Sequence, residues 1–339
     1  MTMLNIGLIG AGRIGRVHAA TLTTRVPNAK LMAVADVVEE AASSLAQEYA
    51  IPDVYPSHEP ILADPAIDAI VVASATDTHT AIIKDAAEAG KHVFTEKPLA
   101  LDLAEIDEAI AATERAGVKL QVGFNRRFDA SFARVKAAIT AGEIGEPQML
   151  HITSRDPAPP PVSYVRVSGG IFLDMMIHDF DMARFLMGSE VSEVFARGAV
   201  LIDPAIGEAG DVDTAVVTLQ FENGALGVID NSRQAVYGYD QRVDVLGSAG
   251  GARVENNFPN NATISTAKYV RRDLPLHFFL ERYAESYAAE LGDFVGAVLN
   301  NSPVPVSGHD GKMPVVMGLA AGRSLHENRP VPLSEILGA

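Results

Sequence analysis

The stretch LNIGLIGAGRIGRVHAATLTT, residues 4–24, decides how the first third of the chain reads. It opens on a short apolar run of the kind that suits a strand buried on both faces, and RVHAATLTT at its end reads as a helix. Between the two stand Gly10, Gly12 and Gly15, in the order G-A-G-R-I-G. At such a junction each glycine has a physical task. Gly10 permits a tight turn, Gly12 lets a large group approach the backbone, and Gly15 lets helix and strand pack closely. The helix start then offers unpaired N–H groups, which suit phosphate. Asp36 closes the next strand candidate, LMAVAD, about 20 residues on, where an acceptor for a ribose diol is needed. Together these features imply a bound dinucleotide, the alternative being a doubly wound sheet whose glycines serve only the turn.

Asp36 also bears on which dinucleotide is held. A carboxylate accepts from both ribose hydroxyls and repels a 2′-phosphate, and Val37 and Val38 offer no cation to counter it, so NAD is expected and not NADP. A helix N-cap role for Asp36 is the alternative. Arg13 and Ile14 lie within the turn; Arg13 and Arg16 either reach the pyrophosphate or stay solvated.

Outward from this motif, apolar runs alternate with alanine-rich helical segments as far as Gly123. DAIVVAS, KHVFTE and VKLQVGF join the first two strands to give five clear strand candidates, which predicts a parallel sheet with both faces covered. This gives a Rossmann domain over 1–123. Beyond it, RRFDASFARVKAAITAG reads as helix, QMLHITSRD as strand, the segment with Pro159, Pro160 and Pro161 as irregular, and GGIFLDMMIHDFDMARFLMG as a helix ending at Gly188. VSEVFARGAVLI, DTAVVTLQF, ALGVIDNSR and QRVDVLG then predict a mostly antiparallel sheet, with a hairpin at Glu222, Asn223 and Gly224. An α/β fold follows, with a second, α+β domain over 124–339 built on an open sheet. One of the late helices, LERYAESYAAELGDFVGAVL or GKMPVVMGLAAGRSLHE, is free to pack back on the first domain.

Composition narrows the chemistry. Lys and Arg number 27 against 43 Asp and Glu, a net charge of −16, which repels both nucleic acid and an anionic membrane. With no Cys there is no disulfide, thiolate nucleophile or cysteine-held zinc. No run approaches the length of a membrane helix and the first residues lack a signal-peptide pattern, so a cytoplasmic location is expected. The reacting groups must be oxygen, imidazole or amine.

Lys97, in EKP after the strand KHVF, stands at a strand's carboxyl end, where its ammonium can orient a hydroxyl or stabilise developing alkoxide. The alternative pairs it with Glu96 on a solvated loop. Asp174 and His178, spaced i,i+4 in LDMMIHDF, share one helix face, so the carboxylate can hold one ring nitrogen while the other takes a proton. A core or capping histidine is the alternative there. Asp179 and Asp181 are close by, but no further His or thiolate completes a zinc set, and no metal is expected. Ala75, Thr76 and His79 follow another strand and complete, with Glu96, a cofactor edge; a capping or core role for His79 is equally open.

On GLIGAGRIG, EKP, the D-x-x-x-H segment and VSGHDGKMPVVMGLAAGRSL, the chain resembles the family of glucose-fructose oxidoreductases and inositol dehydrogenases, the bacterial inositol 2-dehydrogenases above all, over essentially its whole length. The resemblance implies a homotetramer built through the open sheet. It also implies Lys97, Asp174 and His178 as the catalytic set, with His178 as base, Asp174 its orienting partner and Lys97 the hydroxyl-positioning group. It implies a cis bond before Pro98, and less securely Arg127, Asp156 and Tyr237 or Tyr239 as contacts to distal hydroxyls. The expected activity is NAD-dependent oxidation of myo-inositol at C2 to the inosose. Another cyclic polyol or pyranose as substrate, or a non-catalytic dinucleotide sensor, are the alternatives.

Overall fold

A run such as AIVV at Ala69–Val72, buried at every position, has no solvent face and requires cover on both sides. Six parallel strands form the first sheet of the computed structural model, which describes residues 3–338. They are β1 (Leu4–Ile9), β2 (Ala29–Ala35), β3 (Asp53–Tyr55), β4 (Ala69–Val72), β5 (His92–Glu96) and β6 (Leu120–Gly123), in the spatial order β3-β2-β1-β4-β5-β6. Five match the stretches read as strands. The sixth, β3, is three residues long at the sheet edge and carries no apolar run that would reveal it.

The order reverses between β1 and β4, which opens a crevice beyond their carboxyl ends. Helices Arg13–Thr24, Glu39–Tyr49, His79–Glu88 and Leu103–Ala116 connect the strands. The last shows how the sequence punctuates them: Asp102 caps its start by accepting from the N–H groups of Ala104 and Glu105, and Gly117 ends it in the left-handed region.

By their internal contacts the residues fall into two units, the chain up to Phe128 joined by Glu285–Met313, and Asp129–Ala284 joined by everything from Pro314 onward. In the first unit Leu8, Leu22, Leu45, Val71 and Phe94 share one core with Leu291, Phe294 and Val295 of the helix Ala284–Leu299. The Phe94 and Phe294 rings meet edge-on with centroids 5.8 Å apart.

The second unit holds β7 (Pro147–Arg155), β8 (Val191–Ala199), β9 (Thr214–Phe221), β10 (Leu226–Ser232), β11 (Asp240–Gly247) and β12 (Gly250–Val254). A small ribbon of β13 (Thr263–Ser265) and β14 (Val270–Arg272) follows, and then β15 (Val331–Pro332). Its seven-stranded sheet runs β12-β11-β7-β10-β9-β8-β15, antiparallel except where β7 lies beside β10. The Gly224 N–H closes the predicted hairpin onto the Phe221 carbonyl at 2.9 Å, with a positive φ that favours glycine. Burial alternates strictly along β9, so one face of the sheet is core. The other presents the exposed apolar side chains of Met149, Val216, Leu226 and Leu246.

Truncation of the completely buried Phe294 leaves a cavity that the sheet cannot close. Phe294→Ala is expected to cost about 3–5 kcal/mol, read as a lowered midpoint in urea denaturation.

Candidate active site

The glycine turn sits at the end of β1. Gly10 has φ of +104° and donates its N–H to the Ala35 carbonyl at 2.8 Å, which draws the ends of β1 and β2 together. A Cβ on Gly10 would collide with the Ala73 backbone, and one on Gly15 with the Gly10 carbonyl. At Gly12 a Cβ would meet nothing within 4 Å, so this glycine faces open space. The Asp36 carboxylate accepts from the Ala11 N–H at 2.7 Å through Oδ2 and from the Val38 N–H at 2.8 Å through Oδ1. An open Gly12, a first helical turn without acidic residues and a carboxylate beside exposed Val37 and Val38 together fit a dinucleotide without a 2′-phosphate. Arg13 is exposed, whereas Ile14 packs on the core and Arg16 is paired with Glu48 at 2.8 Å.

Beyond β4, Ala75 is exposed and Thr76 half-buried, at the start of a 3-10 turn. His79 is buried, with Nδ1 2.9 Å from the Pro98 carbonyl and Nε2 3.2 Å from that of Ser74. Burial pushes its pKa down, against the pull of those two carbonyls. The ring thus ties the strand end at Ser74 to the loop after β5. There the Lys97–Pro98 bond is cis and Lys97 is half-buried. Glu96 does not lie on a solvated loop: its Oε1 is 2.8 Å from His18 Nε2, and its Oε2 accepts the Lys97 N–H at 3.2 Å.

In the second unit, the segment read as one continuous helix is two pieces. Ile171–Met175 forms a single wide π turn, followed by the α-helix Ile177–Met187, which Gly188 ends in the left-handed region. Such turns recur at functional positions because they redirect a side chain. Asp174 lies in the π turn and His178 in the first turn of the helix, both half-buried. Asp174 Oδ1 accepts from the Tyr164 hydroxyl at 2.9 Å, and Oδ2 from Arg233 Nη1 at 3.2 Å. Arg233 is almost fully enclosed and also faces Asp211, which accepts the Ile171 N–H at the start of the turn. Asp179 is buried and bonded to Asn231 at 2.9 Å, so it serves the core. Sequence reading missed Tyr164, Asp211 and Arg233. A basic residue at the carboxyl end of a buried strand, in NSR after ALGVID, was the available signal for Arg233.

The residues expected to hold distal hydroxyls have distinct settings. Arg127 pairs with Asp310 at 3.0 Å within the first unit. Burial alone would push the Asp310 carboxyl up, but the Arg127 charge and the Ser307 hydrogen bonds outweigh it and hold it at about 2. Asp156 follows β7 and exchanges backbone bonds with Ser232 and Ala235. The Tyr237 hydroxyl donates to Asp240 at 2.6 Å and accepts from Arg155 at 3.2 Å, on a side chain that is partly exposed. Tyr239 is instead packed edge-on against Phe278 and Tyr283, which makes it a core residue. Among the described residues, the group with metal-ligand composition is His18, Glu96 and Glu290, all in the first unit.

Residues 4–124 match the model of an oxidoreductase family with an NAD-binding Rossmann fold, and residues 132–253 that of the GFO/IDH/MocA C-terminal domain. The chain is 51% identical over 335 residues to a myo-inositol 2-dehydrogenase of Thermotoga maritima, covering 99% of this chain and 100% of that protein. It is 39% identical to an NAD-dependent scyllo-inositol 2-dehydrogenase of Bacillus subtilis, covering 96% and 95%. It also superposes with a TM-score of 0.92 on the crystal structure of scyllo-inositol dehydrogenase from Lactobacillus casei with bound NAD(H) and scyllo-inositol, at 30% identity, covering 98% and 100% of the two chains.

Two results are expected from this geometry. Gly12→Ala folds with an unchanged melting temperature but binds NADH more weakly in a fluorescence titration, whereas Gly15→Ala is destabilised by about 1–3 kcal/mol because the colliding atom is backbone. Asp310 has a folded pKa below its unfolded value, so its pairing stabilises the fold above about pH 4 and fades as pH falls toward 2. Asp310→Asn is expected to cost about 1–2 kcal/mol at pH 7, discounted for partial exposure, with the gap from wild type narrowing steadily as pH falls from about 4 toward 2 in a melting series.

Proposed function

The chain belongs to the GFO/IDH/MocA oxidoreductases, and from that premise we propose that it oxidises a secondary ring hydroxyl of an inositol with NAD as acceptor, at C2 of myo-inositol. Likeness to a myo-inositol 2-dehydrogenase along 99% of the chain carries this reading. The 39% identity to a scyllo-inositol enzyme makes that isomer the second substrate to test.

The first-turn N–H groups of Arg13–Thr24 and the open face at Gly12 would hold the pyrophosphate, and Asp36 the ribose diol, with Ala75, Thr76, His79 and Glu96 along the cofactor edge. When bound, NAD supplies the carbon that takes up the hydride. His178 takes the hydroxyl proton on a ring nitrogen, so the alcohol loses one hydride and one proton and becomes a ketone. Asp174, fixed from one side by Tyr164 and from the other by Arg233, orients the imidazole. Lys97 donates to the reacting oxygen and stabilises the charge that develops there as the proton leaves. Arg127, Asp156 and Tyr237 hold the distal hydroxyls and set which isomer fits.

The proposed assembly is a homotetramer, supported by the exposed apolar row of Met149, Val216, Leu226 and Leu246 on the outer sheet face. Among the described residues no helix is long and apolar enough to cross a membrane. The proposed compartment is the cytoplasm.

Initial rates of NADH formation with myo-inositol, scyllo-inositol and glucose test the reading. Turnover is expected with myo-inositol first, and absence of NADH with either inositol overturns it. His178→Ala is expected to lower kcat by about 10²–10⁴ with NADH affinity unchanged; an unaltered kcat removes His178 from the base role.

A further inference from the structure

Beneath Lys97 lies a second group of ionisable side chains for which the proposed chemistry has no use. His18 from the helix Arg13–Thr24, Glu96 at the end of β5 and Glu290 from the helix Ala284–Leu299 bring their polar atoms within 4.8 Å of one another. His18 and Glu290 are entirely buried and Glu96 nearly so. His18 Nε2 and Glu96 Oε1 are in direct hydrogen-bond contact at 2.8 Å, and Glu96 Oε2 holds the Lys97 N–H. Both carboxyl oxygens of Glu290 lack any hydrogen-bond partner, as does His18 Nδ1. The place is built for these groups. Gly123 lies opposite Glu96 in the sheet, and a Cβ there would press within 3.3 Å of Glu96 Oε1, so the missing side chain makes room for the carboxylate.

We propose that Glu290 is kept as a neutral carboxylic acid beside the single carboxylate of Glu96, and that this proton-holding cluster is what positions Glu96, and through it the backbone of Lys97. Two carboxylates this close in a dry interior cannot both ionise without strong repulsion. The groups facing Glu290 are Glu96 from the sheet, His18 from the first helix and the uncharged Gln121 of β6, whose amide donates to the Glu290 backbone carbonyl at 3.0 Å. Burial, and after it the charge of Glu96, push the Glu290 pKa well up. Glu96 has a ring nitrogen on one oxygen and a backbone N–H on the other, whereas neither oxygen of Glu290 has a donor. An ionised Glu290 would drive Glu96 away from those two donors and slacken the strand end that carries Lys97. Glu290 is therefore a positioning residue and touches no substrate.

A divalent cation is the rival occupant, since three such ligands would suit one. The 2.8 Å contact between His18 and Glu96 argues for a proton, because it is a hydrogen bond already made.

The experiment compares Glu290→Gln, the uncharged isostere, with Glu290→Leu. A neutral native Glu290 binds a proton that the unfolded chain releases above about pH 4.5, so wild-type stability is eroded as pH rises. The melting temperature of Glu290→Gln, taken relative to wild type, is expected to rise between pH 5 and pH 8. The infrared carbonyl band of a protonated carboxyl at pH 8 is expected in wild type and absent from Glu290→Gln. For the positioning role, wild-type kcat is expected to fall about tenfold at the alkaline end of its pH profile, where an ionising Glu290 repels Glu96, with KM for myo-inositol little changed; Glu290→Gln and Glu290→Leu, which carry no charge there, are expected to lack that fall. A melting difference that does not vary with pH, no protonated-carboxyl band, one equivalent of divalent metal in the purified protein, or an alkaline fall in kcat that is the same in both variants as in wild type each overturns the proposal. The kinetic arm rests on the reading of Lys97 as a reacting group. The melting and infrared arms do not, so an enzyme inactive on inositols leaves them decisive.

Discussion

The hydrogen bond from the Ala11 N–H to Asp36 Oδ2, 2.7 Å long, is the joint on which the first unit turns. It fastens the loop after β1 to the end of β2 at the point where the chain must reverse from strand to helix within a few residues. The reversal is possible only because Gly10 takes a φ that other residues avoid and because Gly15 leaves its Cβ position to the Gly10 carbonyl. Once the loop is set, the helix Arg13–Thr24 begins just beyond the carboxyl end of β1, the strand at which the order reverses, and a helix start there suits phosphate. The same carboxylate that shapes the turn is the one proposed to select the nucleotide. A net charge of −16 works against any anionic ligand at long range, but that field is screened over about 10 Å, and local donors decide binding.

A common device recurs beside the crevice: at the ends of β2 and β5, and just beyond β4, a side chain is tied to nearby main chain. His79 links the carbonyls of Ser74 and Pro98, and Glu96 takes the N–H of Lys97. Lys97 is therefore fixed at its backbone from both sides of the loop, which a lysine on a flexible turn would not be. In the second unit Asp174 is handled differently, with a buried guanidinium behind it and a tyrosine hydroxyl in front. Both arrangements fix geometry in advance, as the proposed roles of Lys97 and Asp174 require, since charges lower a barrier only when already positioned.

Much of this was legible in the sequence, for identifiable reasons. Strands buried on both faces must be apolar throughout, so β1, β2, β4, β5 and β6 declare themselves, while three-residue β3 does not. The glycine triplet with Asp36 is a local pattern and reads directly. The π turn at Ile171–Met175 is invisible because its residues are as apolar as those of the helix that follows. Pro314 stands inside the helix Gly308–Glu327, and the division between the two units falls just before it, so the helix runs on past a residue that usually breaks one. Arg233 and the grouping of His18 with Glu96 and Glu290 were missed because they join residues far apart in the chain, and Tyr164 because it lies in the proline-rich stretch that reads as irregular.

The central claim is that Asp36 makes this an NAD-binding turn. The direct measurement is the dissociation constant of NADH and of NADPH for the wild-type protein, by fluorescence titration at the same ionic strength. The account predicts NADH bound at least about tenfold more tightly, since a 2′-phosphate would meet a carboxylate with no cation beside it. Equal affinities, or tighter binding of NADPH, would contradict it.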